Sequence, residues 1–151
     1  MGGTLGIVIG STACRVSEAD ALRHVGSYVV VNDVSIPHES YFRPAIRQRC
    51  RDTFCAIGPG VGRDSAPSPD SLEIRIKINN ELRCVSNTAD LVRGAARLVA
   101  DISEYITLSP GDTVLVGEPD NAPLAGVGDH VHVEIEGVGT IENSIEPGGP
   151  S

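Results

Sequence analysis

Apolar and polar residues alternate along this chain more often than they follow a helical period. Leu5-Gly6-Ile7-Val8-Ile9 is a short apolar run whose length and β-branching predict a buried strand. Ser17, with Asp20 three positions on, predicts the start of a helix running to about His24. Ser27 to Val34 predicts a second buried strand. From Ile36 to Gly62 the periodicity fails, and so long an irregular stretch is commonly functional. Arg63 to Pro69 is a polar connector. Leu72 to Ile78 then alternates apolar and charged residues as a half-exposed strand does, and Asn79-Asn80 predicts a hairpin turn returning through Glu81 to Val85. Thr88 is the predicted cap of the longest helix, about Ala89 to Tyr105, with Leu91, Ala95, Leu98, Val99 and Ile102 on one face. A Pro110-Gly111-Asp112 turn precedes a strand over Thr113 to Gly117. Two further strands, His130 to Glu136 and Thr140 to Ile145, flank Gly137-Val138-Gly139. Strands outnumber helices and hairpins outnumber crossovers. The expectation is an α+β, mainly β fold, a rolled or sandwiched core with two helices. A single domain over residues 1–145 is expected, with a flexible tail over 146–151.

Composition narrows the partners. The chain has 151 residues, 40% of them hydrophobic, enough for one core. A net charge of −8 and only 3% aromatic residues argue against nucleic acid, which needs cationic surface and stacking platforms. No run approaches a membrane span of about 20 apolar residues, and no basic segment leads an apolar one, so no membrane partner and a cytoplasmic location are expected. Cys14, Cys50, Cys55 and Cys84 form no Cys-x-x-Cys pair and are expected as buried reduced thiols. Lys77 is the single lysine, which leaves little scope for Schiff-base chemistry.

Several clusters could carry chemistry. Gly58-Pro59-Gly60-Val61-Gly62 lacks the Gly-Lys-Ser/Thr of a phosphate loop. Asp129-His130-Val131-His132 puts two histidines on one strand face at a spacing a metal could use, but with no obvious third ligand a solvated face is expected. Asp33, after Asn32 at a strand end, either caps a turn or faces a pocket. His38, Glu39, Tyr41, Arg43, Arg47, Arg49, Arg51 and Asp52 crowd into one loop of an otherwise acidic chain. That loop is either a solvated face or a cationic wall, since guanidinium forks bind planar oxyanions bidentately.

Six strings then occur in order: Leu5-Gly6-Ile7-Val8-Ile9-Gly10, Val31-Asn32-Asp33-Val34-Ser35, Arg43-Pro44-Ala45-Ile46, Arg51-Asp52-Thr53-Phe54-Cys55-Ala56-Ile57-Gly58-Pro59, Asn87-Thr88-Ala89-Asp90-Leu91 and Leu108-Ser109-Pro110-Gly111-Asp112. Together they resemble the fumarylacetoacetate hydrolase family, and within it the homoprotocatechuate-pathway decarboxylase/isomerase branch, over about Leu5 to Ile145. The resemblance implies a mixed β-roll, usually dimeric. It also implies a divalent metal held by a Glu-x-Glu pair and a later Asp, which stabilises an enolate as a Lewis acid. Asp33 resembles that Asp, but Gly2, Gly3 and Thr4 stand where the glutamates are expected. Arg49 replaces the family's usual lysine, and Gly117-Glu118-Pro119 replaces Gly-Thr-Pro. The lid that supplies a water-activating His/Glu pair in many relatives precedes this core and is expected to be absent.

The expected cofactor and metal content is therefore none. Asp33, Arg43, Arg49 and Glu118 are the catalytic candidates, and His38, Tyr41, Asn87 and Thr88 the substrate-binding ones. The leading expectation is a metal-independent isomerase, cyclase or C–C lyase, not a hydrolase. It would act as a homodimer on an enolisable dicarbonyl-like small molecule, such as a tetronate or polyketide intermediate of secondary metabolism. The alternatives are a homoprotocatechuate-type catabolic decarboxylase/isomerase subunit and a non-catalytic degenerate subunit.

Overall fold

A computed structural model describes residues 1–38 and 43–148. It contains two four-stranded antiparallel sheets and little helix, as the alternating pattern predicts. The first sheet has the order β3-β2-β1-β6, built from β1 (Gly2–Ile9), β2 (Val25–Asp33), β3 (Cys55–Gly62) and β6 (Thr113–Leu115). The second has the order β5-β4-β7-β8, built from β4 (Glu73–Ile78), β5 (Glu81–Asn87), β7 (His130–Ile135) and β8 (Gly139–Ser144). Asn79 and Asn80 take φ of 52° and 66°, the left-handed pair that a tight two-residue hairpin requires.

The sheets pack face to face. Leu5, Ile7, Tyr28 and Val30 of the first meet Ile74, Ile76, Val131, Val133 and Ile135 of the second, all buried. Gly3 sits where the two approach: a Cβ there would lie 2.7 Å from Val133 Cγ1 and 3.0 Å from Ile76 Cγ1. Asn32 faces the same interior and donates from Nδ2 to Asn143 Oδ1 (3.1 Å).

Three expectations need correction. The long helix begins late: Thr88–Asp90 is a 3₁₀ turn, and the helix proper is Ala95–Ser103. Gly94 opens it, and Asp70 Oδ1 accepts from Ala95 N (2.7 Å), so its cap comes from a distant loop rather than from Thr88. The shorter helix keeps its expected span: Glu18–Ala21 follows Ser17 at the N-cap, and a 3₁₀ turn carries it to His24. The Ile36–Gly62 segment is not wholly irregular, since it holds a third short helix, Ile46–Arg49, and the whole of β3. In chain order these helices are α1 (Glu18–Ala21), α2 (Ile46–Arg49) and α3 (Ala95–Ser103). Strand β3 hides in the sequence because Gly58-Pro59-Gly60 interrupts its alternation, which is tolerated on a sheet edge beside a register shift between Val29 and Val31. Finally, Cys14, Cys50 and Cys55 are exposed, and only Cys84 is a buried thiol. No helix among the described residues is long and apolar enough to cross a membrane.

Candidate active site

The first sheet is buried on both faces at its centre. On the side away from the second sheet, Gly2 pairs with Asp33, Thr4 with Val31 and Gly6 with Val29. Thr4 and Val31 are 1% and 0% exposed there, and the chain following β6 meets Thr4 at Gly117. Val116 N donates to Leu5 O (3.1 Å), extending β6 alongside β1. Gly117 then turns at φ +109°, a conformation that costs a side-chain-bearing residue strain. The turn is pinned where the Thr4 hydroxyl donates to Gly117 O (2.6 Å).

The turn swings Glu118 over the β1 start. A Cβ built on Gly2 would lie 2.0 Å from Glu118 Oε2 and 2.8 Å from the Asp33 carbonyl oxygen. The Glu118 carboxylate thus fills the space that a side chain at position 2 would take, beside the strand end that carries Asp33. Arg49 joins them from the opposite rim. Val34 N donates to Phe54 O (2.7 Å) and Ile36 N to Gln48 O (3.0 Å), so the chain leaving β2 is tied to the segment that bears α2. That tie sets Arg49 Nη2 3.9 Å from Glu118 Oε1, a loose, half-exposed ion pair.

Glu118 also lines a cleft of about 420 Å³ that runs along the end of β5. Asn87 and Thr88 line it too, with Asp90, Asp120 and Asn121. Asn87 Oδ1 accepts from Ala89 N (2.9 Å), which leaves its amide donors for the cleft. Thr88 is buried, and its hydroxyl oxygen accepts from Leu72 N (2.8 Å), so it holds the wall in place. Cys55, exposed but paired in register with Asp33, has its thiol pKa pushed up by partial desolvation and then by the Asp33 charge.

The eight nominated residues therefore divide. Glu118, Asn87 and Thr88 line the cleft, while Asp33 and Arg49 gather about Glu118 and do not line it. Arg43 and His38 are exposed. Tyr41 lies outside the described residues. Within the arginine loop, the Arg51 guanidinium instead stacks 5.8 Å from the Phe54 ring centroid. Two residues were not nominated. Thr4 and Gly117 aim Glu118, and a glycine followed by Glu-Pro was the available signal for the turn.

The residues present do not fit the divalent metal that the resemblance implies. A hard dication wants about six oxygens from several carboxylates or carbonyls. Gly2 offers no side chain, Thr4 offers a neutral hydroxyl in place of a carboxylate, and the Arg49 cation shares the place with Glu118. Among the described residues no three His, Cys, Asp or Glu side chains converge as a metal cage.

Comparison with known proteins agrees with the fold. The family described as fumarylacetoacetate (FAA) hydrolase C-terminal matches residues 1–146. The 4-hydroxyphenylacetate degradation bifunctional isomerase/decarboxylase of Escherichia coli is 42% identical over 144 residues, covering 95% of this chain and 33% of that protein. This chain thus spans about a third of the length of that relative. The crystal structure of a 5-carboxymethyl-2-hydroxymuconate delta-isomerase from Mycobacterium smegmatis superposes at TM-score 0.90 with 34% identity, covering 99% of this chain and 59% of its own. A maleylpyruvate hydrolase from Sphingobium sp. SYK-6, solved in complex with manganese(II) ion and pyruvate, superposes at 0.88 with 30% identity, covering 98% and 54%. These relatives are enzymes of isomerase, decarboxylase and hydrolase type, and they lend no support to a tetronate or polyketide setting. A family pattern that covers nearly every residue, on a fold shared at this level, means that the chain belongs to the fumarylacetoacetate hydrolase family.

Proposed function

We propose that this chain is a small-molecule isomerase of the homoprotocatechuate type, which moves a proton on an enolisable 2-oxo or 1,3-dicarbonyl substrate. The observation that carries the reading is the Glu118 carboxylate, which stands over Gly2 beside Asp33 and lines the cleft. A carboxylate at such a place takes a proton from the carbon next to a carbonyl and returns it at the conjugated position. Asp33 is the second acid. The negative charge that develops on the carbonyl oxygen needs a donor, and the Arg49 guanidinium and the Asn87 amide are on hand to supply it. Substrate carboxylate and Glu118 compete for the same guanidinium, and the loose 3.9 Å pair leaves room for exchange. Among the described residues no histidine lines the cleft, and the proposed step is proton transfer rather than water attack. The identity with isomerase/decarboxylase relatives favours this reading over cyclisation. A homodimer is the proposed assembly.

Exchange of the protons next to the carbonyl of a 2-oxo acid into D₂O, followed by proton NMR, tests the proposal. The expected result is enzyme-dependent exchange that falls by about 10²–10⁴ in Glu118→Gln and Asp33→Asn. Exchange no faster than in buffer, or unchanged in both folded variants, would favour the non-catalytic reading.

A further inference from the structure

The outer face of the second sheet carries a pair of side chains that the cleft does not use. Register places His130 opposite Ser144 and His132 opposite Glu142, with all four side chains on the solvent side. His130 Nδ1 lies 3.0 Å from Ser144 Oγ, and His132 Nδ1 lies 3.0 Å from Glu142 Oε1. In the tautomers that donate Nδ1–H to these oxygens, both Nε2 atoms present lone pairs, and neither makes a hydrogen bond among the described residues. Both rings line a concavity of about 630 Å³ shared with Asn79, Glu142 and Ser144. Their spacing is held rigidly, because β7 is flanked by β4 and β8 and its intervening Val131 is 1% exposed.

We propose that His130 and His132 chelate a borderline divalent transition metal through their two Nε2 atoms, with water completing the coordination. Imidazole suits Zn²⁺, Ni²⁺ and Cu²⁺ better than it suits Mg²⁺. A ligating histidine commonly donates its other ring N–H to a carboxylate or similar acceptor, which fixes tautomer and orientation, and Glu142 and Ser144 are placed to receive it. Asp129 is not a third ligand, since its two oxygens accept from Asn79 Nδ2 and Gly126 N. The charges facing the pair are Glu142 from β8 and Lys77, which is opposite His132 on β4. The Glu142 carboxylate offsets the lysine. With two protein ligands the ion is exchangeable rather than structural.

The test is calorimetric titration of Ni²⁺ into the full chain, with Mg²⁺ as the hard-cation control. The expected result is one equivalent bound with a dissociation constant of about 10 μM or below. His130→Asn and His132→Asn should each weaken binding at least about tenfold, and Glu142→Gln about tenfold. Absence of saturable binding below about 0.1 mM would overturn the proposal. So would binding unchanged in a folded His130→Asn/His132→Asn double variant, which would put the ion elsewhere. None of these substitutions touches the cleft, so the isomerase reading stands or falls separately.

Discussion

The two sheets of this molecule treat their outer faces differently. In the second, β7 reads His-Val-His-Val-Glu-Ile and buries Val131, Val133 and Ile135 while the alternate residues meet solvent. In the first, β1 is buried at nearly every position: β2 and β6 flank it, the Glu118 side chain stands over Gly2, and Gly117 O holds the Thr4 hydroxyl. A sheet with one wet face can place charges there freely. A sheet covered on both faces must account for each polar group it encloses. The accounting on the first sheet is what assembles the site: Thr4 bonds Gly117, and the turn at Gly117 puts Glu118 beside Asp33. The working groups lie where the covered face comes to an end.

The largest effect that tests this contrast is in the shared interior. Ile76→Ala, at a position 0% exposed between the sheets, should cost about 2–5 kcal/mol. Lys77→Ala, one residue along on the outer face of the second sheet, should change stability by no more than about 0.5 kcal/mol. Denaturant unfolding of both variants checks the pair. Comparable losses would mean that the second sheet's outer face is also covered.

A smaller loss is expected at Thr4. Thr4→Val keeps the shape but removes the hydroxyl that holds Gly117, and should destabilise the fold by about 1–2 kcal/mol. Proton exchange should fall with it, because Glu118 is aimed through that bond. Stability lost with activity intact would separate Glu118 from the turn.

The smallest effect is a pH dependence. Burial, and then the Asp70 charge, push the Tyr28 phenol pKa up, with Arg63 pulling the other way. A raised folded-state pKa favours the protonated form. The stability it reflects is fully present below the ordinary phenol range near pH 10 and is lost as pH rises through the raised value. Unfolding midpoints should therefore drop in the alkaline range, and Tyr28→Phe should flatten that drop. A midpoint that holds steady through the alkaline range would contradict it.

Most of the fold was legible because strand alternation is a local signal. Leu72 to Ile78 and Asn79-Asn80 state their strand and hairpin without help from the rest of the chain. What escaped depends on distant partners. The start of α3 is set by Asp70, far away in sequence, and β3 is a strand only because β2 offers it an edge. The exposed cysteines follow from the same cause, since two of them lie in or beside elements the alternation missed. At the site, Asp33, Glu118 and Arg49 could be nominated from strings. That they meet could not, because the meeting depends on the Gly117 turn and on the bonds tying α2 to the end of β2.

Glu118 occupies the place of a side chain at position 2, and with Asp33 and Arg49 it forms a centre unsuited to a hard dication. Calorimetric titration of Mg²⁺ into chelator-stripped protein tests it most directly. No saturable heat is expected below about 1 mM. Stoichiometric binding tighter than that, abolished by Asp33→Asn, would contradict it and return the site to metal chemistry.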